Sequence, residues 1–214
     1  MFLIKLFKTP KLTITKKSIT KIFEFFEFMH LIVNNDKLLI KLWLLGNKKM
    51  QYLMQKYLKG LVLLYSESSI IWLLKFKNIE YLQVNNTNFI YLKYIPKFIK
   101  FLDITFYEIK DDEIKLLSKT LTYLKTNAKN LKNPNLPQNL TSLILSKCQN
   151  FTIDFINNLS DKITTLLLDN LTIVNFELKH LINLVSLELK FGEIQTFILE
   201  NCFDLKNLSL LEIN

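Results

Sequence analysis

Residues 140–145 read LTSLIL, residues 163–168 ITTLLL, residues 184–189 LVSLEL and residues 205–210 LKNLSL. All four have the form apolar-x-x-Leu-x-apolar. The same frame opens upstream at Ile79, Ile99 and Leu121, which gives successive spacings of 20, 22, 19, 23, 21 and 21 residues. The fourth slot is leucine in every unit: Leu82, Leu102, Leu124, Leu143, Leu166, Leu187 and Leu208. The sixth holds Val84, Ile104, Thr126, Leu145, Leu168, Leu189 and Leu210, with one polar member. An eleventh slot adds Phe89, Ile109, Leu131, Ile173 and Ile194, with Phe151 one place late. Units this short cannot bury an apolar face alone, so the recurrence predicts a stack in which each unit packs on its neighbours.

The unit resembles the leucine-rich repeat, L-x-x-L-x-L-x-x-N/C-x-L over about 20 to 29 residues. That resemblance implies an α/β solenoid: one short parallel strand per unit forming a curved sheet, with short helices or turns on the convex side. It covers residues 79–214, and Leu58, Leu61 and Leu63 open an earlier unit in the same frame. The ninth slot holds Thr87, Tyr107, Lys129, Cys148, Leu171 and Gly192. Only Cys148 fits the family pattern, so irregular turns are expected. A second frame, Ile194, Phe197, Leu199 and Cys202, overlaps the last two units.

Ahead of the repeats, residues 1–17 carry Ile4, Leu6, Leu12 and Ile14 among lysines and read as a leading strand or arm. Residues 18–60 read as three helices. Ser18 is placed to cap Ile19 to Val33, Leu38 to Leu45 follows the breakers Asn34, Asn35 and Asp36, and Asn47 caps Lys48 to Leu58, with Gly60 as its stop. This segment resembles the F-box, a three-helix module that often precedes such repeats. The resemblance implies that Ile19, Ile22, Phe23, Phe26, Leu38, Leu39 and Trp43 contact a cullin-ligase adaptor. Lys17 and Ser18 replace the family's Leu-Pro entry. The other reading is a helical cap over the apolar end of the first coil, which a solenoid of this kind requires. Residues 61–214 then form the repeats.

The formal charge of +9 would ordinarily raise an anionic partner. Yet the chain has no arginine, one alanine (Ala128), three glycines and four prolines among abundant Lys, Asn, Ile and Phe, the signature of AT-rich codons. Lysine is then a default solubilising residue. Arginine, best suited to bidentate base and phosphate contacts, is missing, which argues against nucleic acid. Cys148 and Cys202 fall more than two coils apart, too far for a disulfide, which suits a reducing compartment. The first dozen residues lack a signal-peptide pattern, and no apolar run is long enough to span a bilayer. The expectation is an intracellular protein, cytoplasmic or nuclear, with no membrane contact.

No catalytic pattern is present, and no cofactor or metal is expected. His30 and His180 stand alone, Gly46, Gly60 and Gly192 are too scattered for a phosphate loop, and Ser66, Ser68 and Ser69 lack a nearby base. Asp111, Asp112 and Glu113 suit the first turn of a helix, where acidic groups meet the positive end of the dipole. Thr152 to Leu159 reads as another short helix with Ile153, Phe155, Ile156 and Leu159 inward.

Between the buried leucines, alternate residues of each strand point to the opposite face. The third slots run Tyr81, Phe101, Tyr123, Ser142, Thr165, Ser186, Asn207, and the fifth run Gln83, Asp103, Lys125, Ile144, Leu167, Glu188, Ser209. Three aromatics in adjacent strands form the kind of anchor that dominates protein interfaces. The expected partner-binding residues on the concave face are therefore Tyr81, Gln83, Phe101, Asp103, Tyr123, Lys125, Ile144, Leu167 and Glu188. Strand 205–210 has no polar cap after it, so either self-association through the last coil or a longer array is expected. The functional expectation is a protein-interaction module without catalysis. Its role is either recruiting substrates to a cullin-type ubiquitin ligase or serving as a plain scaffold with a helical cap, with a basic RNA-associated protein as the third, less favoured alternative.

Overall fold

The computed structural model describes residues 31–33, 48–63, 76–84, 92–132, 135–173, 175–191 and 195–212. Their architecture is a solenoid built on one nine-stranded sheet, all of whose pairings are parallel. In spatial order its strands are β1 (Leu31–Val33), β2 (Leu58–Leu63), β3 (Tyr81–Val84), β4 (Phe101–Glu108), β5 (Tyr123–Asn127), β6 (Ser142–Ser146), β7 (Thr165–Leu171), β9 (Ser186–Phe191) and β11 (Asn207–Glu212). Two further strands, β8 (Asn175–Leu178) and β10 (Thr196–Leu199), pair in parallel as a second sheet.

Each six-residue frame becomes a strand with its slots in register. Leu82, Leu102, Leu124, Leu143, Leu166, Leu187 and Leu208 are successive ladder partners. The first six of these are buried, as are Ile79, Ile99, Leu121, Leu140, Ile163 and Leu184 in the first slot. Each buried leucine contributes roughly 1.5–3 kcal/mol relative to an exposed one. Just before each strand, the second-slot carbonyl accepts from the next coil. Lys100 N–H donates to Glu80 O, Thr122 N–H to Lys100 O, Thr141 N–H to Thr122 O, Thr164 N–H to Thr141 O and Val185 N–H to Thr164 O. Where that slot is threonine, the hydroxyl adds a second donor: Thr122, Thr141 and Thr164 Oγ1 lie 3.1, 3.1 and 3.0 Å from the carbonyls of Lys100, Thr122 and Thr141. Side chains thus reinforce the stacking that the leucines drive.

The turn after the strands has its own repeating geometry. Lys147, Asn170 and Asn201 all take positive φ, at 60°, 62° and 60°. Each directly precedes an inward residue, namely Cys148, Leu171 or Cys202. Asn201 and Cys202 belong to the second sequence frame, so the eighth slot of a unit is where the backbone reverses. Coil length varies at this level too. The ladder skips Thr105, Phe106 and Tyr107, because Ile104 pairs with Thr126 and Glu108 with Asn127. In the next coil Lys129 is not the turn residue. Ala128 N–H donates to Ser146 O as Cys148 N–H does to Asp169 O, so Ala128 fills the place of Cys148 one position early.

Among the return segments are a 3-10 turn at Leu92–Tyr94 and short helices at Asp111–Ile114 and Ile153–Asn157. Phe155, Ile156 and Leu159 are buried and Ile153 is half-buried. The last two return segments differ from the expected helices or turns, because β8 and β10 are strands. Phe176 and Leu178 of β8 are buried, Phe176 stacks on Phe197 with ring centroids 5.5 Å apart, and Thr196 Oγ1 donates to Asn175 Oδ1 at 2.8 Å. The second sequence frame through Phe197 and Leu199 is the trace of β10.

The N-terminal part departs from a purely helical reading. Leu31–Val33 is a strand, not the end of a helix, and pairs with β2. The helix Lys48–Tyr57 ends one residue short of Leu58, and Gly60 lies inside β2 instead of stopping a helix. The cause lies in the frame: Leu58, Leu61 and Leu63 are in phase with Ile79, Leu82 and Val84, and pairing Gly60 with Tyr81 and Leu61 with Leu82 satisfies the backbone. A boundary between residues 60 and 61 therefore falls within a strand. The leading segment 1–17, Ile19, Ile22, Phe23, Phe26, His30, Leu38, Leu39, Trp43, Gly46, Ser66, Ser68, Ser69 and Gly192 lie outside the described residues.

Candidate functional site

The sheet has one face on the core and one turned away from it, and the second face carries the third and fifth slots. Because ladder neighbours in a parallel sheet are about 4.8 Å apart, three aromatic third slots in a row are brought into ring contact. Tyr81 and Phe101 stack with centroids 4.1 Å apart and planes at 13°, and Phe101 and Tyr123 stack at 3.9 Å and 11°. All three are half-buried. The stack is flanked in the ladder by Gly60 on one side and Ser142 on the other, so both ends of the aromatic row meet small residues. Stacking of this kind adds roughly 0.5–1.5 kcal/mol per pair beyond area burial. The row is consequently rigid before any partner arrives.

Polar groups surround the rings. Tyr81 OH donates to Gln83 Oε1 at 3.2 Å. Burial raises the pKa of both Tyr81 and Tyr123, and the nearby Asp103 carboxylate raises both further, so the two phenols stay protonated donors at neutral pH. Asp103 is drawn in deeper than its slot suggests, at 7% exposure. Its Oδ1 accepts from Thr105 Oγ1 at 2.6 Å and from Thr105 N–H at 3.2 Å, while Lys125 Nζ stands 3.8 Å from Oδ2. It therefore anchors the start of the β4 bulge and holds Lys125 beside the rings. Ile144 and Leu167 continue the fifth-slot row as half-buried aliphatics. Glu188 ends it, paired with Lys190 at 3.3 Å.

All nine residues expected from the sequence thus share one face in adjacent ladder positions. Tyr81, Phe101, Tyr123, Gln83 and Lys125 form a compact patch with Ile144 and Leu167 beside it. Among the exposed aromatics outside the slot reading is Phe106, 53% exposed, in the part of β4 that the ladder skips. Its signal is the 22-residue spacing after Ile99 against 19 after Leu121, which leaves room for a bulge.

Several titratable groups elsewhere are committed to structure. Tyr107 OH donates to Glu113 Oε1 at 2.5 Å, Lys110 N–H donates to Glu113 Oε2 at 2.9 Å, and Asp111 accepts from Lys132 N–H. His180 Nε2 lies 3.0 Å from Leu159 O, a contact that requires the proton on Nε2. Cys148 is a buried free thiol whose Sγ contacts Leu145 O at 3.3 Å, and burial pushes its pKa up, which keeps it unreactive. Among the described residues no group of three His, Cys, Asp or Glu side chains is placed to hold a metal ion, and no helix is long and apolar enough to cross a membrane. Comparison with protein-family models finds no match, and comparisons with curated proteins and with solved structures find none either.

Proposed function

We propose that this protein is a non-catalytic interaction module of the leucine-rich-repeat type, and that it holds a protein partner on the open face of its sheet. One observation carries the reading: the stacked row Tyr81, Phe101 and Tyr123 is rigid, half-exposed and bordered by donors and by aliphatic surface. Aromatic anchors with a polar rim are how protein interfaces concentrate binding energy. Preorganised rings also lose little rotamer freedom on binding, which favours affinity.

Of the two roles open to such a module, the plain scaffold is the better supported. The strand Leu31–Val33 continues the sheet into the segment that an adaptor-binding F-box would form from helices alone. The cullin-ligase role remains a narrower form of the same proposal and rests on residues 18–60.

The test is affinity capture with the full chain and with a Tyr81→Ser/Tyr123→Ser variant, followed by identification of the bound proteins. The reading expects partners that the wild type retains and the variant loses. A cullin adaptor held by both would establish the ligase role, since that contact uses the other end of the chain. Identical captured sets for both chains would remove the open face from consideration.

A further inference from the structure

The last strand of the sheet breaks the burial rule of the others. Leu187 and Leu189 of β9 are 1% and 0% exposed, whereas Leu208 and Leu210, their ladder partners in β11, are 49% and 43% exposed. Phe203, in the turn leading to β11, is 87% exposed, and Leu211 and Ile198 of β10 are exposed as well. β11 pairs with β9 alone among the described strands, so its far side is an edge of the described sheet. Apolar surface next to unpaired backbone groups is an assembly surface.

The ladder dictates which residues serve that edge. Asn207 N–H donates to Val185 O, and along a strand the peptide groups alternate in direction. Asn207, Ser209 and Leu211 therefore turn their peptide groups to β9, and Leu208, Leu210 and Glu212 turn theirs to the open edge. We propose that this edge is a two-fold interface, in which β11 pairs antiparallel with β11 of a second copy about an axis at Ser209.

Self-complementarity selects both the occupant and the register. An antiparallel pair must set edge-turned residues against each other. Centred on Ser209, it sets Leu208 against Leu210 of the partner subunit, and Leu210 against Leu208 of the partner subunit. The same register brings position 206, a lysine, level with position 212 of the other copy, a glutamate, on both sides of the axis. Shifting the centre to Leu208 or Leu210 sets a leucine against one of those charges instead. Cross-strand pairs of like apolarity and opposite charge stabilise a sheet, and mismatches do not. The arrangement is also closed, because a two-fold axis brings the same edge of both copies together and leaves neither β11 free to pair again.

Sedimentation equilibrium on the full chain tests the proposal. The expected result is a reversible monomer–dimer equilibrium. Lys206→Glu or Glu212→Lys alone should weaken the dimer about tenfold, since each replaces two opposite-charge pairs with two like-charge pairs, and the double variant should recover wild-type affinity. Ser209→Cys, made with Cys202→Ser, should form a dithiothreitol-reversible dimer with a mild oxidant, because residues opposite each other across the axis have Cβ atoms about 4.5–5.5 Å apart. A chain that stays monomeric at every concentration overturns the proposal. So does a dimer in which the double variant is as weak as the single ones, or one that Ser209→Cys fails to cross-link.

Discussion

Lys147 holds a positive φ of 60° at a turn position where two other coils place Asn170 and Asn201. A residue with a Cβ and no short polar side chain is strained there by roughly 1–2 kcal/mol, and asparagine less so. Lys147→Asn should therefore raise stability by about 0.5–1 kcal/mol, read from the urea midpoint with an unchanged slope. The single polar sixth slot has an equally local cause. The β4 bulge leaves Tyr107 O away from the ladder, and Thr126 Oγ1, fully buried, reaches it at 3.4 Å. Thr126→Val keeps the shape and removes the donor, and it should cost about 1 kcal/mol. Glu80 sits between Lys59 and Lys100, each 2.9 Å away, and hydrogen bonds from the two ammonium groups lower its pKa from 4.5 to about 2. A depressed carboxylate pKa stabilises the fold above the unfolded value. That contribution is present at neutral pH and lost as pH falls from about 4.5 toward about 2. With the site a third exposed, solvent screening limits it to about 1 kcal/mol. The stability difference between wild type and Glu80→Gln should be present at pH 6 and absent at pH 2.

At the scale of the element, the strands that carry the frame are legible because one leucine per unit fixes their register. The ladder Tyr81, Phe101, Tyr123, Ser142 follows from aligning Leu82, Leu102, Leu124 and Leu143. What the alignment does not carry is what happens between the frames. The burial of Asp103 depends on Thr105 in its own bulge and Lys125 on the next strand, partners that a linear pattern does not bring together. Nor does it reveal β8, whose Phe176 and Leu178 alternate over four residues only and become a strand by pairing with β10. Leu31–Val33 joins the sheet for a similar reason: its short β-branched run pairs with β2, and tertiary pairing overrides a helical spacing. The aromatic row was readable as positions, and its ring contacts followed once the strand spacing was known.

Taken as a whole, the molecule is a line of coils, each stabilised by its two neighbours, so the effect of a substitution should depend on where its coil stands. Leu166 lies in the middle and is fully buried, and Leu208 lies at the open end and is half-exposed. Leu166→Ala should cost about 2–5 kcal/mol. The same change at Leu208 should cost less than about 1 kcal/mol in dilute solution, with more of its effect appearing as sample concentration rises. Paired denaturation curves at two protein concentrations check this. The face that carries the rings contributes less to the fold than the leucines behind it, and that separation lets binding and stability be measured independently.

The central claim, that the stacked rings are the binding surface, is tested most directly by titration calorimetry. A captured partner is titrated into wild type and into Tyr81→Ser/Tyr123→Ser, with the melting temperature of each chain recorded alongside. The account predicts an affinity loss of about a hundredfold, as expected for losing an aromatic anchor, in a chain that still folds. Unchanged affinity in a folded variant would contradict it.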